Sequence, residues 1–159
     1  MRKLLIGIHD KYCSMRAVEY VGKQYTGAKD LEITLVHVLP NLPAMFWDEG
    51  HILSDDEKRD RQKVVDTWIV RQKQAVEPML KAAVNDLVRC GFSPDRLGTK
   101  FISDSLDVAD SILEEAREGG YQTIVIGRCG IREGKHLLVG SVTSKIIHKA
   151  TAMAVTIVE

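Results

Sequence analysis

Three glycines and two hydroxyls near the end of the chain carry the clearest chemical signal. The segment reads Gly127-Arg128-Cys129-Gly130, then nine residues, then Gly140-Ser141-Val142-Thr143. Gly127 and Gly130 bracket a tight turn directly off an apolar run. There the backbone must bend, a positive φ is available, and absent side chains let a phosphate or sugar reach the main chain. Gly140-Ser141 stands immediately before a helical pattern. The free N–H groups of a helix start, with its positive dipole end, form a site for an anion, and the Ser141 and Thr143 hydroxyls add donors. Between 127 and 149 there are five basic residues (Arg128, Arg132, Lys135, Lys145, Lys149) against one acidic residue, Glu133. Such a surplus favours an anionic ligand. The same residues also fit a solvated loop with glycines for turns and Ser141 as a plain cap.

Two better-known phosphate motifs are excluded. A Walker loop ending at Gly134-Lys135 requires glycine at position 129, where Cys129 stands, and a hydroxyl residue at 136, where His136 stands. No GxGxxG follows the first apolar run, so a dinucleotide site is not supported.

The elements that must position these residues alternate along the chain. Short apolar runs of strand length occur at Lys3 to Ile8, Leu31 to Val38, Gly98 to Ile102, Thr123 to Ile126 and Ala152 to Val158. Helical patterns lie between them: Ser14 to Tyr25, Ser54 to about Arg89, a stretch capped by Asp104 or Ser105 and ending at Gly119-Gly120, and Ser141 to Lys149. Ser54-Asp55-Asp56-Glu57 is a capping box, and Pro78 inside the second helix predicts a kink or break near Ala75 to Glu77. Unbroken apolar strands alternating with helices predict an α/β protein with an open parallel sheet covered on both faces. In such a sheet ligands bind beyond the carboxyl ends of the strands, where the strand order reverses.

At these residues the sequence resembles the ATP-binding branch of the universal stress proteins, whose signature is G-x2-G-x9-G-[S/T]. The resemblance covers nearly the whole chain, from Leu4-Leu5-Ile6-Gly7-Ile8 through Leu35-Val36-His37-Val38 to Gly140-Ser141-Val142-Thr143 and Ala154 to Val158. It implies one domain over 1–159 with a five-stranded parallel sheet in the order 3-2-1-4-5, the adenine nucleotide alpha hydrolase-like arrangement. It implies ATP across the crevice between strands 1 and 4, with magnesium or manganese bound through the phosphates. The implied binding residues are Gly7, Ile8, His9, Asp10, Val38, Gly127, Arg128, Gly130, Arg132, Gly140, Ser141, Val142 and Thr143. Val38 would read the adenine edge through its backbone. The resemblance further implies a homodimer paired along Ala154 to Val158. The family commonly has Asp at the end of strand 1; this chain has His9 there, with Asp10 next, and Gly7 where proline is frequent. Met153-Ala154 replaces the usual Pro-Val opening of the last strand.

Composition narrows the alternatives. With 159 residues, 22 basic and 22 acidic side chains, the formal charge is zero. General nucleic-acid binding, driven by counterion release, is not expected. No apolar stretch has the length of a membrane span, and the N-terminal apolar run stops at His9-Asp10, so neither a membrane anchor nor a leader is expected. Cys13, Cys90 and Cys129 show no CxxC spacing and are expected as reduced thiols of a cytoplasmic protein, Cys129 being a spacer or a redox handle. His37 reads as a structural histidine, and Asp48-Glu49 and Asp55-Asp56-Glu57 as solvated carboxylates. Phe46 and Trp47 either cover a base or bury elsewhere. Three functions stay open: a nucleotide-dependent stress-response or signalling module, a slow ATPase or phosphotransferase using Arg132 and Lys135, and a nucleotide-free dimeric interaction module. Phosphoryl transfer needs a positioned base, and none is evident, so catalysis is expected to be weak at most.

Overall fold

The computed structural model describes residues 1–9, 11–39, 42, 50, 52–128 and 140–159. Asp10, Phe46, Trp47, Cys129, Gly130, Arg132, Lys135 and the rest of the 129–139 loop lie outside the described residues. In chain order the elements are β1 (Arg2–Gly7), α1 (Lys11–Gln24), β2 (Leu31–Val38), α2 (Asp55–Arg89), β3 (Leu97–Ile102), α3 (Val108–Glu118), β4 (Thr123–Gly127), α4 (Ser141–Lys149) and β5 (Ala154–Val158). The strands form one parallel sheet in the order β3-β2-β1-β4-β5, as the resemblance implies.

The unbroken apolar strands are explained by burial on both faces. Leu4, Ile6 and Ile8 pack with Ala17, Val18 and Val21 of α1 and with Leu80, Ala83 and Leu87 of α2. Leu5, Val36 and Val38 join Ile124 and Ile126 on the opposite face, against Ala109, Ile112, Leu113 and Ala116 of α3 and Ile146 of α4. Alternate residues of a strand point to opposite faces, so β1 feeds both layers.

Several expected boundaries move for local reasons. Helix α1 starts at Lys11 rather than Ser14. The cap of α3 is Asp107, whose side chain accepts from the Asp110 N–H, rather than Asp104 or Ser105. Strand β5 starts at Ala154 because Ala152 takes a left-handed conformation, φ 58°, which strand geometry excludes. Helix α2 begins at the Ser54 capping box as expected but continues through Pro78 without a break. Proline removes the N–H that would bond the Gln74 carbonyl. Both residues are exposed, so solvent can satisfy that carbonyl while the remaining bonds hold the helix.

Candidate functional site

The strand order reverses between β2-β1 and β4-β5, so the connections leaving β1 and β4 diverge and open a crevice at their carboxyl ends. A cavity of about 230 Å³ occupies this place, walled by Gly7, Ile8 and His9 after β1, Val38 of β2, Ile126 and Gly127 of β4, and Gly140 to Thr143 at the head of α4. Roomier grooves of about 550 and 580 Å³ run along α2, against β3 and α1 respectively. They lie on helix flanks, away from the carboxyl ends of β1 and β4.

Backbone donors at the cavity belong to α4. Its cap, Gly140, gives no side-chain hydrogen bond, and its first turn carries no acidic residue. The caps of α2 and α3, Ser54 and Asp107, each accept from a first-turn N–H. The first amides of α4 are thus left to whatever enters the crevice, with the helix dipole behind them. Gly140 has φ −56°, and a Cβ built there meets nothing within 4 Å among the described residues. Its smallness keeps the mouth open rather than permitting an unusual backbone angle.

Gly127 has a packing role beyond its place in the motif. Its φ is not in the left-handed region. A Cβ at Gly127 would lie 2.0 Å from the Cys13 carbonyl oxygen and 2.5 Å from the carbonyl carbon. The absent side chain admits the first turn of α1, while Gly127 also lines the cavity. At Gly7 an added Cβ would make ordinary contacts of 3.8–3.9 Å with Ile112, Ile126 and the Val125 carbonyl.

Among the described residues, the basic charge of this segment is paired within the fold. Lys145 Nζ lies 2.9 Å from Asp107 and 2.8 Å from Asp110, and Lys149 Nζ lies 2.9 Å from Asp110. Hydrogen bonds from these lysines hold the Asp110 carboxylate below its ordinary pKa. The Asp110 N–H, then Lys145, does the same for Asp107. Arg128 donates to Glu159 at 2.9 Å, with its N–H on the Val158 carbonyl, and is not part of the crevice wall. The charge argument from the sequence therefore fails for Arg128, Lys145 and Lys149, whose acidic partners stand on other elements.

Of the expected binding residues, the structure brings Gly7, Ile8, His9, Val38, Gly127, Gly140, Ser141, Val142 and Thr143 around one cavity. It sets Arg128 apart, and Asp10, Gly130 and Arg132 are not described. Cys13, Ser14, Val108, Ile112 and Ile126 also line it, and sequence reasoning missed them. The Ser14 hydroxyl is buried and accepts the His9 N–H at 2.8 Å. A serine in the first turn of the helix after β1, five residues past the His9 it bonds, is a usable signal. His37 is buried, as expected of a structural histidine, with Nδ1 2.8 Å from the Ile8 carbonyl and its ring stacked on Phe101. Cys13 is disulfide-bonded, which corrects the expectation of reduced thiols at that position, whereas Cys90 is free. Among the described residues no cluster of three or more metal-ligating side chains occurs, and no helix is long and apolar enough to cross a membrane.

A doubly wound parallel sheet with a crevice at its reversal places the chain among the open-sheet α/β proteins. The chain belongs to the universal stress protein family, whose model matches residues 1–158. The fold is similar to a universal stress protein from Archaeoglobus fulgidus in complex with dAMP (18% identity, 100% of this chain and 98% of that one, TM-score 0.61). It is similar to a family protein from Arabidopsis thaliana with AMP bound (17% identity, 100% and 93% covered, TM-score 0.60). A universal stress protein in complex with cAMP gives 16% identity, 99% and 97% covered, and a TM-score of 0.65. Comparison with curated proteins gives no match.

Proposed function

We propose that the crevice binds an adenine nucleotide, ATP in particular, and that binding biases the conformation or partner choice of a stress-response or signalling module. One observation carries this reading: the uncapped first turn of α4, free of acidic side chains, faces the cavity at the sheet reversal. The solved neighbours that hold dAMP, AMP and cAMP support it. The phosphates would meet Gly140, Ser141, Val142 and Thr143. The base would lie toward the apolar wall of Ile8, Val38 and Ile112. Gly130 and Arg132, at the expected motif spacing, complete the phosphate end in this reading. The described wall holds no carboxylate, so magnesium or manganese would be held by phosphate oxygens and water, and the ion would neutralise phosphate charge. Ligand can shift an equilibrium only by its differential affinity for the two states. Pairing with a second copy along the open edge of β5, in the cytoplasm, belongs to the same reading.

The test is a thermal melt with ATP or AMP, with and without magnesium, at about 100 times Kd, where one site adds about 2.7 kcal/mol. Ser141→Asp is the informative variant. A carboxylate in a helix's first turn favours the helix but repels a polyanion. The expected outcome is a variant that melts at or above the parent temperature and no longer responds to ATP. A parent that ignores adenine nucleotides, or a Ser141→Asp variant that responds fully, would overturn the assignment.

A further inference from the structure

The crevice wall after β1 is pinned by side chains that do not belong to β1. The last β1 pairs in the sheet are Gly7 with Val36 and Gly7 with Ile126. Beyond them Ile8 and His9 run along the cavity. Three hydrogen bonds of 2.8 Å fix their path: the Ile8 N–H to the Val36 carbonyl, His37 Nδ1 to the Ile8 carbonyl, and the His9 N–H to the Ser14 hydroxyl. A carbonyl only accepts, so His37 carries its proton on Nδ1. The imidazole is buried at 6% exposure and is held from the sheet edge by the Phe101 ring, 5.6 Å between centroids and 22° between planes. His37 itself does not line the cavity, so any effect on a ligand passes through Ile8 and His9.

We propose that His37 is a positioning residue for the crevice: its Nδ1–H, by holding the Ile8 carbonyl, sets the main-chain wall against which the ligand packs. This inference rests on the adenine nucleotide reading. Burial of the ring alone accounts for a histidine that stabilises the core. The bond to Ile8 adds something separable, because it acts at the one segment shared by the sheet and the cavity.

Two substitutions separate the roles. His37→Phe keeps a ring on Phe101 and removes the donor. His37→Asn places an amide N–H near the Nδ1 position and deletes most of the ring. Affinity for AMP and for magnesium-ATP is measured by titration calorimetry at neutral pH, ligand-free stability by thermal melting, and local opening by amide exchange at Ile8 and His9. His37→Phe should bind about tenfold more weakly, the effect of one lost neutral hydrogen bond, with exchange at Ile8 and His9 faster by a similar factor. His37→Asn should melt at the lower temperature of the two yet bind within about threefold of the parent, since the donor survives. Affinity loss that follows the loss of melting temperature, with Asn worse than Phe, would overturn the proposal and leave His37 as a core residue. So would unchanged exchange at Ile8 and His9 in His37→Phe. If the parent binds neither nucleotide, the nucleotide reading falls. The exchange comparison then still decides whether His37 holds the wall.

Discussion

Replacing Gly127 with alanine tests which neighbour needs the missing side chain. The new Cβ would sit 2.0 Å from the Cys13 carbonyl oxygen, 2.5 Å from its carbon and 3.1 Å from its Cβ, where real Cβ contacts stay above 3.0 Å. Two of these atoms are backbone, so no rotamer change relieves the clash. The head of α1 and the end of β4 must separate by at least about 1 Å, and close-packed interiors resist such shifts. That movement draws Ser14 away from the His9 N–H and loosens Ala17, which is fully buried. Overpacking costs about 1–3 kcal/mol and the strained hydrogen bond about 1 more, so about 2–4 kcal/mol in total. For a chain of this size that lowers the melting temperature by about 5–15 °C. Calorimetry or circular dichroism melts measure it, with Gly7→Ala and Gly140→Ala as controls. Gly7→Ala should be nearly neutral, and Gly140→Ala should cost only about 0.5–1 kcal/mol as a weaker cap. A Gly127→Ala protein that melts within about 2 °C of the parent while losing nucleotide affinity would refute the packing argument and return Gly127 to the ligand.

Two other outcomes follow from the same geometry. Burial pushes the His37 imidazole below its ordinary pKa of 6.5, with His9 adding in the same direction. Below that value the unfolded chain takes up a proton that the folded chain refuses. Stability is therefore full above pH 6.5 and falls as the pH drops below it. Asp107, Asp110 and Glu57 are also lowered, from ordinary values of 3.8, 3.8 and 4.5, so their losses come at more acidic pH. Melts between pH 8 and pH 5 should decline below about 6.5, and His37→Phe should flatten that decline. Pro78→Ala restores the helix bond at an exposed position. It should raise stability by about 1–3 kcal/mol, read from denaturant midpoints at constant m.

Local physics made much of the architecture legible. The Ser54 box, the β-branched run Leu31 to Val38 and the helix from Ser141 to Lys149 each contain their own signals and appear with the expected bounds. The site was legible as far as strand ends and a helix head could be located. What failed were readings that depend on neighbours distant in sequence. The packing demand on Gly127 is invisible until Cys13 is seen against it. Lys145 and Lys149 look like anion-binding charge until Asp107 and Asp110 of α3 are placed beside them. Arg128 looks like anion-binding charge until Glu159, just past β5 at the same carboxyl end of the parallel β4–β5 pair, is placed beside it. Proline at position 78 predicts a break because the sequence does not show that Gln74 and Pro78 lie on the exposed face of α2.

The crevice depends on the longest-range pairing in the sheet. Lys3 and Gln122, which bond each other beside the β1–β4 ladder, are 119 residues apart. Strand β1 meets β2 as soon as Leu31 is made, but its other flank stays bare until β4 emerges. Closing so long a loop is slow, since its entropy must be lost before any contact compensates. During synthesis the nascent chain therefore has no pocket. It acquires one only after β4 has emerged and the head of α4, Gly140 to Thr143, has followed it.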